Sequence, residues 1–331
     1  MRFSAARYVP LLVCILALLG CGNPQQEARR QLGQMNIKFS EDSFITRSRD
    51  GNRAAVKLFL QAGMKPDVTN AVGETPLLVA VQYGRQDVVE RLLAVGANPN
   101  LAGKQFGATP LIWASTKGFT GIMNLLLAKG ANVNAADTKI GMTPLMSAAV
   151  GGKVTVITLL LDKGAAINAA DQNGRTPLMW AAHYGRSAAV KLLLDKGADP
   201  ALRDKTPGMT ALIVASVRGK AEVVKLLLDR GADINTADEN GVTALMWATR
   251  HGRTNVVQVL LAKGANVNAQ DKQGQTALDW AKIYRQNHIK ELLLTAGAVP
   301  GKGSGSLPEN KGGKKPPVAP PSNQMENPAR K

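Results

Sequence analysis

Cysteine is nearly absent from this chain. Cys14 and Cys21 are the only two, and both lie in or beside an apolar N-terminal segment. The body that follows therefore has neither a disulfide framework nor a thiolate metal site. Aromatic residues make up 4% of the 331 residues, and the three histidines, His183, His251 and His288, are dispersed. No Gly-x-Ser-x-Gly elbow, Gly-x4-Gly-Lys-Ser/Thr phosphate loop or His-Glu-x-x-His pair occurs, which excludes the enzymes built on those motifs. No enzyme activity, cofactor or metal is expected. Acids are also few: 24 against 41 bases, a formal charge of +17. Such a surface favours acidic proteins, anionic envelope polymers or nucleic acid.

What the chain does have is periodicity. Asn173-Gly174-Arg175-Thr176-Pro177-Leu178-Met179-Trp180-Ala181-Ala182, continued through Leu192-Leu193-Leu194-Asp195-Lys196-Gly197-Ala198, reads as one supersecondary unit. Gly174 suits a turn with positive φ, Thr176 an N-cap and Pro177 the first helical position. A first helix should break at Gly185, and a second, 187–196, should end on Gly197. The glycine before Thr-Pro or Thr-Ala recurs at Gly73, Gly107, Gly141, Gly174, Gly208, Gly241 and Gly274, at spacings of 34, 34, 33, 34, 33 and 33 residues. Self-similarity at that period means a solenoid.

In these residues the chain resembles the ankyrin-repeat family, whose motif is a turn, Thr-Pro-Leu-His, a helix, Gly, a second helix and Gly-Ala. The resemblance covers about residues 41 to 298 and implies an all-α ankyrin-repeat solenoid of about eight helix-turn-helix repeats with β-hairpin fingers. The expected repeats are 41–70, 71–104, 105–138, 139–171, 172–205, 206–238, 239–271 and 272–298. One departure is consistent: Leu78, Ile112, Met146, Met179, Ile213, Met246 and Asp279 replace the motif's His. The bond from that His to the capping Thr should be lost, leaving apolar packing to stabilise the turn. The first repeat is degenerate and the last carries Arg285 for the mid-unit glycine, as capping units do. The fingers from Asp137 and Asp204 are one residue longer than that from Asp171, and should project further.

The ends differ in kind. Residues 1–20 join Arg2 and Arg7 to an apolar run, an export signal too short to span a bilayer comfortably. Leu18-Leu19-Gly20-Cys21 resembles the lipobox of bacterial lipoproteins, although Leu19 is larger than usual there. The resemblance implies cleavage before Cys21, acylation of that residue and a periplasm-facing place in the bacterial envelope. Gly22, rather than Asp, points to the outer membrane. Residues 21–40, rich in Gln and Asn, are expected to form a tether. Residues 299–331, with Lys314-Lys315-Pro316-Pro317 and a net charge of +4, are expected to be a disordered basic tail.

Candidate binding residues stand at the end of each first helix. The last position holds Tyr83, Lys117, Gly151, Tyr184, Arg218, His251 and Tyr284, and the one before it includes His183 and Arg250. By resemblance, these positions and the finger tips line the concave face through which ankyrin arrays bind partners. Tyr83, Lys117, His183, Tyr184, Arg218, Arg250, His251 and Tyr284 are the candidate partner-binding set, because such residues join contact area to a polar handle. The alternative is that they merely cover the next repeat. Trp113, Trp180, Trp247 and Trp280 read as packing between layers. Lys129, Lys163, Lys196, Arg230 and Lys263 read as cations on helix C-termini.

These features indicate a non-enzymatic scaffold that holds another protein. Some bacterial relatives of this type accompany periplasmic enzymes, including catalases, so the resemblance allows a stress-defence partner. The other reading is a binder of peptidoglycan or lipopolysaccharide through the basic surface and tail, which added salt should abolish. Nucleic acid ranks third, since an export signal separates the chain from it.

Overall fold

The computed structural model describes residues 23–302, which form seventeen α-helices in two compact units divided between Asn132 and Val133. The first unit contains α1 (Pro24–Gln34), α2 (Glu41–Asp50), α3 (Arg53–Gln61), α4 (Pro76–Gln82), α5 (Gln86–Ala94), α6 (Pro110–Lys117) and α7 (Thr120–Ala128). The second begins with α8 (Pro144–Gly151), α9 (Val154–Asp162), α10 (Pro177–Tyr184), α11 (Ser187–Asp195) and α12 (Ala211–Val217). It continues with α13 (Ala221–Asp229), α14 (Ala244–Arg250), α15 (Thr254–Ala262), α16 (Ala277–Ile283) and α17 (Asn287–Thr295). The export segment, Cys21 and residues 303–331 lie outside the described residues.

Each unit is built of two helix layers. In the second unit α8, α10, α12, α14 and α16 stack as first helices, and α9, α11, α13, α15 and α17 stack behind them. First helices are core nearly throughout: Pro177 to Ala182 of α10 are all buried. Second helices bury one stripe, as Ala189, Val190 and Leu193 do on α11. Leucines of that stripe contribute roughly 2 kcal/mol each by leaving water.

The local signals act as their chemistry requires. The Thr hydroxyl at each first-helix N-cap accepts the N–H three residues on, at 3.1–3.4 Å from Thr75 to Thr276. Gly174 has φ 79°, and an added Cβ would lie 2.8 Å from the Lys205 nitrogen. Glycine is required there because the next finger passes at hydrogen-bond distance, Lys205 N–H donating to the Asn173 carbonyl at 2.8 Å. In the same way Gln172 donates to Ile140, Glu239 to Pro207 and Lys272 to Asn240. The fingers of the second unit are thus linked one to the next. They are not β-hairpins, however: the one bridge among the described residues joins Ala237 and Thr243.

Residues 24–34 are not a tether. They form α1, capped by the Asn23 side chain with Pro24 in its first turn, and α1 packs against α3 through Ala28 and Leu32. Two apolar residues in a polar stretch are too few to announce a helix, but four residues apart they fall on one face. The C-terminal boundary shifts as well. Val299 N–H donates to Asn268 Oδ1 at 2.8 Å, and Gly301 N–H to Asp279 Oδ2 at 2.7 Å, so residues 299–301 fold back on the last repeat. Arg285 occupies the mid-unit glycine's place at φ 54°.

The cation ladder has a second use. Lys196 pairs with Asp162 at 4.0 Å, Arg230 with Asp195, and Lys263 with Asp229 at 2.6 Å, each reaching one repeat back. These exposed pairs contribute little individually. A carboxamide ladder contributes more. Asn134 Oδ1 accepts from Ala166 N–H, Asn168 from Asp199, Asn235 from Asn266 and Asn268 from Val299, at 2.8–3.1 Å. One rung is missing, because Ala201 stands where the asparagine would be. Its N–H still donates to Asp199 Oδ1 at 2.8 Å, as that of Asn268 does to Asn266. A cavity of about 110 Å³ bordered by Pro200, Ala201, Gly231 and Asp233 lies at the gap. Ala201→Asn should restore the rung to Asp233 N–H and stabilise the fold by about 1 kcal/mol, or roughly 2–4 °C in melting temperature. Calorimetry checks this; an unchanged or lower transition would mean the carboxamide cannot adopt the ladder geometry.

Candidate functional site

The fingers that bear the site are held by buried carboxylates. Asp171 Oδ1 accepts the N–H groups of Asn173 and Arg175 at 2.8 and 2.9 Å, while its Oδ2 accepts the Trp180 indole N–H at 3.2 Å. Asp238 does the same with Asn240, Val242 and Trp247, and Asp271 with Gln273, Gln275 and Trp280. This adds to two expectations. Leu78, Ile112, Met146, Met179, Ile213 and Met246, which stand in the histidine's place, are buried as apolar packing requires, and in three fingers a carboxylate and an indole hold the turn as well. Trp180, Trp247 and Trp280, besides packing against their neighbours, tie first helix to finger. At the last repeat the bond to the Thr is not lost. Asp279 accepts from Thr276 N–H and hydroxyl at 3.0 and 2.9 Å. Burial opposes ionisation of Asp279, but the Thr276 and Gly301 bonds with nearby Lys282 prevail and hold its pKa low.

On this frame the second unit gathers six of the eight candidate residues into two clusters. In the first, His183 and Tyr184 end α10 with ring centroids 4.9 Å apart, and Tyr184 stacks over Trp180 at 6.3 Å. Arg175, from the finger, lies over the other part of this cluster, 5.1 Å from the Trp180 ring. The Arg218 side chain, just past α12, makes no hydrogen bond or ion pair among the described residues, and its charge acts on both His183 and Tyr184. In the second cluster His251 stacks on Trp247 at 5.8 Å, and Trp280 lies edge-on to Trp247 at 6.0 Å. Tyr284 lies 5.8 Å from Trp280. The Arg250 guanidinium covers three rings, those of Trp247, Tyr284 and Trp280, at 5.1, 5.2 and 5.8 Å.

The electrostatics are one-signed. Burial, then Arg218, Arg175 and Lys220, lowers the His183 pKa to about 4. Burial, with Arg250, Arg253 and Arg218, lowers that of His251. Both imidazoles are therefore neutral donors and acceptors at neutral pH. Burial raises the Tyr184 phenol, although Arg218, Arg175 and Arg186 oppose it. Arg218 is itself shifted down by burial.

Tyr83 and Lys117 belong to the first unit and are described there. Tyr83 caps α4, half-buried, with the Arg49 guanidinium 5.7 Å from its ring. Lys117 ends α6, one repeat further on. Arg175 and the tryptophans were missed as site members. The signal was available: Trp180 and Trp247 lie four residues before Tyr184 and His251, one helical turn beneath them.

No group of three or more His, Cys, Asp or Glu among the described residues is placed to hold a metal, and no described helix is long and apolar enough to cross a membrane. Stacked helix pairs with fingers and a decorated face define a repeat-built interaction protein. The family model described as ankyrin repeats (3 copies) matches residues 45–137, 136–204, 201–271 and 236–302. The chain belongs to the ankyrin-repeat family. A search of curated proteins finds no match. Ankyrin repeats indicate a protein–protein interaction scaffold, and the family is typically non-enzymatic.

Proposed function

We propose that this chain is a lipid-anchored adaptor of the bacterial envelope. It faces the periplasm from the outer membrane through acyl chains on Cys21 and holds a partner protein on the finger side of its repeats. A periplasmic stress-defence enzyme is the partner class in view. The observation that carries the binding reading is the pair of clusters at the ends of α10, α14 and α16. Helices that are otherwise core end there in half-exposed Tyr, His and Arg side chains over tryptophan rings. Large, rigid aromatic and Arg groups with little left to order are what a binding hot spot is made of.

Tyr184→Ala tests it. The phenol ends the helix with its rim in water, so its removal should weaken partner binding about tenfold or more while lowering unfolding free energy by no more than roughly 1 kcal/mol. A large loss of stability with unchanged binding would return Tyr184 to a packing role. The anchor is tested separately, by mass spectrometry of the mature N-terminus. An acylated Cys21 is expected, and any other start removes that part of the reading.

A further inference from the structure

We infer that the partner presents an acidic, extended peptide segment to the second unit. Its carboxylates seat on Arg175, Arg218 and Arg250, and its chain lies across the Tyr184, His251 and Tyr284 rings. This rests on the binding reading above and adds the chemistry of what is bound.

Nine carboxylates of the second unit are already engaged. Asp137, Asp171, Asp204, Asp238 and Asp271 are buried in the fingers, their oxygens taken by backbone N–H groups. Asp162, Asp195 and Asp229 end second helices and pair with the cation one repeat on. Asp279 is taken by Thr276 and Gly301. At the clusters, by contrast, the charged side chains acting on His183 and His251 are all cations: Arg175, Arg218, Lys220, Arg250 and Arg253. None of Arg175, Arg218 and Arg250 has an ion pair among the described residues, and Arg218 is half-buried with Arg175 and Arg253 repelling it. Asp204 acts on Arg175 from within its finger, but no described carboxylate pairs directly with any of the three. Half-buried guanidinium groups of this kind are stabilised by an arriving carboxylate, and charge-assisted bonds to it are the strong kind.

Arg175 and Arg250 lie over indole and phenol rings. A guanidinium held against rings by cation–π attraction keeps N–H donors for a bidentate carboxylate, at a small further loss of side-chain freedom. The spacing of the repeats sets a register. Arg218 and Arg250 come from neighbouring repeats, whose first helices pack directly. Packed helices lie roughly 8–10 Å apart, and an extended chain advances roughly 3.3 Å per residue, so about every third residue of the segment meets the next repeat. A folded anionic surface or a branched polysaccharide has no such register.

The test is fluorescence anisotropy with the full mature chain and a labelled peptide of about a dozen residues, Glu at every third position among Ser and Tyr. We expect the peptide to bind and its Gln-for-Glu version to bind at least about tenfold more weakly. Arg218→Glu and Arg250→Glu should each weaken binding about tenfold or more, with Arg218→Gln intermediate and melting unchanged. Lys225→Glu, exposed on the second-helix side, should stay within about twofold. Equal affinity for both peptides, or indifference to the Arg218 and Arg250 reversals, overturns the inference. So does an unstructured polyanion such as heparin binding as tightly as the Glu peptide at equal charge, which would assign the face to a polymer. A photo-crosslinker at Tyr184 in living cells separates this from the binding reading. An acidic crosslinked segment supports the inference, while a neutral or basic one overturns it and leaves the adaptor standing. Capture of no protein removes both.

Discussion

Asp171→Ala is expected to lower the unfolding free energy by about 3–4 kcal/mol. Three donors lose their acceptor together: the N–H groups of Asn173 and Arg175 and the Trp180 indole. Asp171 and Trp180 are both buried, so water cannot readily take over. Asn173 also supplies the carbonyl that receives Lys205 N–H, so disorder in this finger loosens the next. Asp171→Asn should cost less, roughly 1–2 kcal/mol, because a carboxamide oxygen can still accept from the backbone while its NH2 confronts the indole N–H. Denaturant unfolding followed by tryptophan fluorescence measures both. Equal, small effects for Ala and Asn would show that the finger is held by its backbone and its neighbours alone.

Acidification should destabilise the fold through His183. Its folded pKa of about 4 lies below the ordinary histidine value. The unfolded chain therefore binds the proton more readily than the folded one in the interval between. Stability from this group is complete above about pH 6.5, falls as the pH drops toward about 4, and changes no further below that. Because the ring is partly exposed, the loss should be about 1–2 kcal/mol rather than the full value of the shift. His251 moves in the same direction. His183→Gln should be flatter across that interval by the same amount, and the difference between the two unfolding curves isolates the histidine from finger aspartates common to both. If the two proteins lose stability in parallel, the imidazole is not desolvated as the structure has it.

Much of this architecture is readable from residues that act on their own neighbours. Thr176-Pro177 caps a helix wherever it stands, and Gly185 at φ 68° ends one, so repeat count and helix ends follow from local chemistry. The last-turn positions of the site were legible for the same reason, since the period places Tyr184, Arg218 and His251 in register. What was not legible depends on partners brought close by folding. The Asn168 carboxamide meets the Asp199 N–H 31 residues on, and Arg186 and Arg253 reach carbonyls of Val150 and Val217, 36 residues back. Neither partner carries a pattern of its own. Asp171 and Trp180 are only 9 residues apart, yet a turn and a helix start intervene, and the indole was read for its bulk rather than its N–H. The α1 segment was missed because two apolar side chains mean little until α3 supplies the surface that covers them.

That first helix bears on reach. Nineteen residues of loose chain between an acylated Cys21 and the repeats would let the body roam some 60 Å from the bilayer, by roughly 3.3 Å per residue. With packing beginning at Pro24, only Gly22 and Asn23 intervene, a leash of about 10 Å. Were Cys21 acylated as proposed, so short a leash would hold the start of the repeats at the lipid surface, and a partner would have to come to the membrane to be held.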